Sequence, residues 1–330
     1  MFNTLAEYLT LKHHRSPQIF KYKVSGFVVK TFRLLFIIGL SYLFLFPVFY
    51  MLSASLQDPA MAHDPSVIWI PKQISLASFN GAIKALNYWE SAILTFIIAA
   101  GSTVASVVSC SVVGYGFARF RFFSSRIGFM LVVLTIIVPP QTIAISSYLN
   151  FRFFDFGGIL KLFSPLTGIT EWNLLNTPWV FIIPSLFAAG LRSGLFILIF
   201  RQFFKGMPRD LEEAAKIDGC GALKTFIRVM IPLSIPAYIT VLLFSFIWHW
   251  NDLYSSSMFF TLEIRPLSVM LNGLLSSLKD SGVIDSAMTT FEMRSYMQAG
   301  AFLTILPPLI IYIFTQRYFT ESIERTGIVG

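Results

Sequence analysis

The chain has 330 residues, of which 55% are hydrophobic and only 13% charged, with 35 phenylalanines and a net charge of +8. Ordinary globular domains carry roughly 25% charged residues, and one soluble core of this size cannot hide so many phenylalanines. The composition therefore excludes a soluble globular protein and describes an integral membrane protein.

Apolar runs long enough to cross a bilayer as a helix, about 20 residues each, lie near 31–53, 91–116, 127–149, 178–203, 233–251 and 298–319. None shows the roughly 10-residue alternation of an outer-membrane barrel. The expected fold class is all-α and polytopic, with six transmembrane helices that satisfy their backbone bonds internally. A mostly polar stretch, 1–30, precedes the first run, and no small-residue cleavage site follows it. That pattern reads as a tail and an uncleaved anchor rather than a signal peptide.

Orientation follows from the basic residues. The tail carries Lys12, Arg15, Lys21, Lys23, Lys30 and Arg33, and the connection after the second run carries Arg119, Arg121 and Arg126. After the fourth run come Arg201, Lys205, Arg209, Lys216, Lys224 and Arg228, and the C-terminal part adds Arg317 and Arg325, so 17 of the 25 basic residues fall on one side. Basic residues accumulate in cytoplasmic loops, which places both termini inside (N-in/C-in). Ten of the 17 acidic residues, from Asp58 to Glu292, fall in or beside the other three loops. The positive charge is thus a topological signal, and no nucleic-acid partner is expected. Cys110 in the second run and Cys220 in a cytoplasmic loop are far apart in this topology, so no disulfide is expected.

In the third run Pro139 and Pro140 are expected to kink a helix, as are Pro307 and Pro308 in the sixth. In the fourth, Arg192 sits between Gly190 and Gly194. A charge within a span is expensive and faces a cavity or a partner, so Arg192 is a candidate for the substrate pathway, with a snorkelling or structurally paired arginine as the alternative. Between the fourth and fifth runs, residues 212–236 read EEAAKIDGCGALKTFIRVMIPLSIP. Pro208 opens a short helix, Asp210, Glu212 and Glu213 complement its dipole, and Gly219 ends it. Leu211, Ala214, Ala215 and Asp218 recur at spacings of three and four, so small residues and one carboxylate share a face that another surface can approach closely. The alternatives are an interfacial connector that solvates its charges and, less naturally beside a membrane, a helix-turn-helix. At the end of the fifth run, WHWND (248–252) offers aromatic faces with amide and carboxylate partners that suit sugar rings. Trp250, Asn251 and Asp252 are its pathway candidates, although tryptophan also gathers at membrane interfaces without any substrate.

The run Glu213-Ala214-Ala215, two residues, Asp218-Gly219, then Phe226, Val229 and Ile231-Pro232 resembles the EAA loop of binding-protein-dependent ABC importers, with Val229 and Ile231 as conservative departures. WHWND and QAGAFLTILPPLIIYIFTQRYF (298–319) are similar to the carbohydrate, maltose-type branch of that family, and ERTGIVG to its Gly-x-x-Gly terminus, with Val329 where lysine is common. The resemblance covers roughly 91–330. It implies a type I ABC importer transmembrane fold, with a transmembrane domain over 91–319, a coupling loop over 205–231 and a cytoplasmic tail over 320–330. It also implies that Glu213, Ala214, Ala215, Asp218 and Gly219 contact a separate ABC ATPase dimer, and that a second permease subunit, an extracytoplasmic substrate-binding protein and a sugar substrate complete the system.

The chain has no GxxxxGK[ST] phosphate loop, no HExxH helix, no clustered metal ligands and no nucleophile elbow. It is expected to be no enzyme and to hold no cofactor itself, ATP and Mg belonging to the partner ATPase. The long segments 54–90, 150–177 and 253–297 are candidates for docking the binding protein. Two other function classes stand beside this reading. An ATP-independent secondary transporter needs intramembrane carboxylates for ion coupling, and the runs hold none beyond Asp252 at an edge. A membrane-anchored enzyme or assembly factor needs a cluster of polar catalytic residues at one membrane face.

Overall fold

The structure, a computed structural model, describes residues 2–59, 71, 73–168, 170–284 and 288–327. It is helical, and among the described residues extended pairing is limited to two isolated bridges, Gln57 with Ile74 and Phe154 with Trp172. Helix α1 (Phe2–Leu56) is continuous over 55 residues. Its apolar part, Val28–Leu56, is long enough to cross a membrane. Phe32, Phe36 and Phe44 point outward there, as a lipid-facing helix requires, and α1 meets the body along α16 (Thr290–Gly327), where the Arg294 guanidinium lies 5.0 Å from the centre of the Tyr50 ring.

After α2 (Ala77–Ala85), the 32-residue helix α3 (Tyr88–Arg119) forms the centre of the molecule. Ser91, Thr95, Ser102 and Ser106 recur at helical spacing and are all buried. Small side chains of this kind let membrane helices approach closely. The Thr95 hydroxyl donates to Ser91 O (2.6 Å) and accepts from Leu267 N (2.9 Å). At Gly114 of α3 an added Cβ would stand 2.6 Å from Phe200 Cβ and 3.1 Å from the Arg201 backbone nitrogen.

The third apolar run is divided into α4 (Ser125–Ile137) and α5 (Ala144–Arg152), and the chain bends there by 99°. Pro139 and Pro140 are the cause. A residue before proline is driven out of the helical region, and neither proline supplies an N–H to continue the ladder; Val138 is accordingly extended, and a 3-10 turn, Pro140–Ile143, makes the bend. Helix α6 (Ile159–Thr167) lies in the following connection.

The fourth run is not a single helix, contrary to the sequence expectation. It forms α7 (Trp179–Leu186) and α8 (Ser193–Gly206), and between them Ala188 (φ 54°) and Arg192 (φ 60°) adopt left-handed backbone. Broken helices survive in a membrane only where neighbours take up the freed backbone groups. Here α3 also braces both edges of the break: Ser109 Oγ donates to Ser185 O (2.6 Å) near the end of α7, and Cys110 Sγ to Ser193 O (3.8 Å) at the start of α8.

Helix α9 (Asp210–Ile217) is followed by α10 (Ala222–Thr225), a π-helical turn (Phe226–Met230) and α11 (Ile231–Leu233), and the chain then bends by 79° into α12 (Ile235–Trp250). Helices α13 (Tyr254–Phe259), α14 (Leu267–Asn272) and α15 (Leu274–Asp280) occupy the next segment. Leu267, Leu274 and Leu278 are fully buried, so this segment belongs to the core. Helix α16 runs 38 residues, and Pro307 and Pro308 do not divide it. Whole spans by length and composition are Val28–Leu56, Tyr88–Arg119 and Glu292–Arg317, and the two bent pairs bring the number to as many as five. Residues 60–70 of the 54–90 segment and the terminus bearing Val329 lie outside the described residues.

Candidate functional site

Helix α9 has two dissimilar sides. Asp210, Glu212 and Glu213 lie in its first turn, where the positive end of the helix dipole favours carboxylates. Ala215 is buried, and Glu212 turns toward the body. Tyr115 Oη donates to Glu212 Oε1 (2.9 Å), and Arg119 Nε forms an ion pair with the same oxygen at 3.4 Å. Arg119 Nη2 also donates to Met207 O (3.0 Å). The side chains of Arg119 and Glu212 are only 5% and 14% exposed. An apolar aromatic floor supports them: the Tyr115 ring lies 4.8 Å from Phe226 and 5.5 Å from Phe204, centre to centre.

On the other side, Glu213, Ala214, Lys216, Asp218 and Gly219 are exposed, and Ile217 is 87% exposed in their midst. Gly219 (φ 76°) closes the helix, with Cys220 N donating to Ala215 O (2.9 Å) and Gly219 N to Lys216 O (3.0 Å). This pair of bonds is the glycine C-terminal cap, and left-handed backbone is the reason glycine stands there. Four of the five EAA residues named from the sequence thus share an open face, while Ala215 packs inward. Leu223 and Ile227 are also exposed nearby in the chain. A polar rim around exposed apolar side chains is the composition of a docking surface.

The two interrupted runs face each other. Between the bend at Pro139-Pro140 and the break at 187–192 lies a cleft of about 500 Å³. Thr135, Ser147, Arg192 and Ser255 are among its polar lining, with apolar walls that include Ile136, Phe181 and Phe259. Arg192 is exposed, at the start of α8 rather than within a helix, and its guanidinium lies 5.6 Å from the centre of the Trp248 ring. That distance is within cation–π range. Trp248 in turn stacks between Phe196 and Phe244, at 5.6 Å from each.

The other candidates from WHWND lie elsewhere. Trp250 is 2% exposed, stacks on Phe246 and donates Nε1–H to Thr304 O (3.1 Å), so its indole joins α12 to α16. Asp252 accepts from Ser256 N (2.7 Å), Ser256 Oγ (3.0 Å) and Ser255 Oγ (3.2 Å), which caps α13. Asn251 is exposed and donates back to Ile247 O (3.0 Å). The sequence reading chose Trp250 where the structure sets Trp248 beside Arg192. Two residues on a helix are about 200° apart, so the two indoles point to different sides of α12, Trp248 toward Arg192 and Trp250 toward α16. Glu212, read from the sequence only as a dipole-complementing charge, is the residue that fastens α9 to α3.

Residues 110–324 match the family described as binding-protein-dependent transport system inner membrane component, a stretch that contains α9, the helix break and α12. The chain belongs to this family. Among its curated relatives, the arabinooligosaccharides transport system permease protein AraQ of Bacillus subtilis is 27% identical over 97% of this permease and all of the relative. The osmoprotective compounds uptake permease protein GgtD of Synechocystis is 28% identical over 78% of the permease and 77% of its own length. Among solved structures, a bacterial ABC transporter that imports the acidic polysaccharide alginate has a chain with the same fold, at a TM-score of 0.69 and 21% identity, covering 89% of the permease and 98% of that chain. The protein is a permease subunit of an ABC importer and a multi-pass protein of the cytoplasmic membrane.

Proposed function

We propose that this permease carries a sugar or oligosaccharide inward and takes its driving force from a separate ATPase dimer, which docks on the open face of α9 through Glu213, Ala214, Asp218 and Gly219, with Ala215 supporting that face from behind. In this reading the chain crosses the membrane six times with both termini inside, the broken run α7–α8 counting as the fourth crossing, and 91–319 is the transmembrane domain. The ATPase supplies ATP and Mg; this chain holds neither and hydrolyses nothing. A second permease completes the pathway, an extracytoplasmic binding protein delivers the sugar, and membrane lipid surrounds the apolar face of α1.

The observation that carries the reading is the two-sided chemistry of α9, whose Glu212 side is fastened to the body while its opposite face carries exposed Ile217 amid charge. Sugar transport draws its support from relatives such as AraQ, and from a cleft that joins a guanidinium and hydroxyls to apolar walls. Arg192 is the pathway residue in this reading. Asn251 and Asp252 shape the turn after α12, and Trp250 fixes the packing of that helix. Ala214→Trp places an indole on the open face without touching the core. The ATPase subunit is expected to be lost on purification while the variant still inserts into the membrane. Undiminished recovery of the ATPase and undiminished uptake would contradict the docking assignment.

A further inference from the structure

We infer that Glu212, Tyr115 and Arg119 form a latch that makes α9 and α3 move as one body, so that a displacement of α9 reaches the cleft through α3. The inference rests on α9 being the ATPase contact. Glu212 precedes Glu213 by one position yet serves the opposite side of the helix, and one carboxylate oxygen meets both Tyr115 Oη at 2.9 Å and Arg119 Nε at 3.4 Å. Arg119 also holds Met207 O, in the chain entering α9, so α3 grips the short helix at its approach and in its first turn. A nearly buried ion pair is little screened by salt, and removing one member leaves the other charge uncompensated.

The neighbouring residues of α3 connect the latch to the cleft. At Gly114, beside Tyr115, α3 lies so close to α8 that an added Cβ would meet the Arg201 nitrogen at 3.1 Å and the Ile197 carbonyl oxygen at 3.2 Å. Ser109 and Cys110 hold the two edges of the break that carries Arg192. From Cys110 to Tyr115 is about 7.5 Å at 1.5 Å per residue. The docking helix and the cleft are therefore joined by less than two turns of one rigid helix. Glu212 and Tyr115 are positioning residues in this scheme; neither touches substrate or ATP.

The test uses the complete transporter, with its ATPase and binding protein, in proteoliposomes, and compares Glu212→Gln, Tyr115→Phe and Ala214→Trp. Glu212→Gln removes the charge opposite Arg119, and Tyr115→Phe removes one hydroxyl. Each is expected to retain the ATPase subunit on purification while sugar moved per ATP hydrolysed falls about tenfold, within the range typical of allosteric coupling. Ala214→Trp is expected to lose the ATPase altogether. An unchanged ratio in Glu212→Gln and Tyr115→Phe, whether both activities fall together or neither falls, overturns the latch and leaves the docking assignment standing. Failure of both latch variants to assemble also overturns it, because the contacts would then be supports for folding only. Retention of the ATPase by Ala214→Trp overturns the docking assignment and the latch with it.

Discussion

Gly114→Ala tests the packing on which the whole arrangement depends. The new Cβ would lie 2.6 Å from Phe200 Cβ, 3.1 Å from Arg201 N and 3.2 Å from Ile197 O. Two of the three neighbours are backbone atoms, which no rotamer change can move. Carbon atoms rest at about 3.5–4.0 Å, so α3 and α8 must part by roughly 1 Å. Overpacking of this kind costs about 1–3 kcal/mol, and the better helix propensity of alanine offsets about 1 kcal/mol. A net loss of up to about 2 kcal/mol is expected. Gly116→Ala is the control: it lies two residues on in the same helix, and its added Cβ meets nothing within 4 Å. There the substitution is expected to stabilise by about 0.5–1 kcal/mol. Thermal unfolding of both variants in detergent, monitored by retention of the monodisperse peak, should separate them to either side of wild type. Equal shifts in the same direction would refute the close α3–α8 approach.

At Gly219 the left-handed backbone (φ 76°) coincides with open space around the missing side chain. Gly219→Val is therefore expected to strain the cap by about 1–2 kcal/mol and to weaken ATPase retention, whereas Gly219→Asn, which tolerates that backbone, should lose much less; equal losses would argue against the cap. Arg192→Met should change the rate or selectivity of uptake without lowering the amount of folded protein, and loss of folded protein would assign the arginine a structural role instead. Trp250→Phe deletes the bond to Thr304 O. It should lower stability by about 1 kcal/mol while leaving the choice of substrate unchanged, which competition between sugars in an uptake assay can check.

The long apolar helices were legible from length alone, because a run such as 31–53 has no other stable disposition in a membrane. The cap of α9 was legible too, since Pro208, the acidic first turn and Gly219 are local signals. The break at 187–192 was harder, because hydropathy does not register it. Its traces are Pro184, Gly190, Arg192 and Gly194, close together in the chain, and its two edges are braced by Ser109 and Cys110, from a different helix. The role of Glu212 depends on Tyr115 and Arg119, far earlier in the chain, and no local pattern reports such a pairing. The choice between Trp248 and Trp250 turned on which side of α12 meets α16, a fact of packing that composition does not contain.

Whether transport is driven by a separate ATPase is decided by sugar uptake into proteoliposomes holding the purified protein with and without its co-purified ATPase, binding protein and a second permease, at fixed ATP. Uptake is expected only from the complete assembly and only with hydrolysable ATP, with hydrolysis stimulated by the sugar-loaded binding protein. Uptake by this chain alone, without ATP and driven by an ion gradient, would contradict ATPase-driven import and establish a secondary transporter.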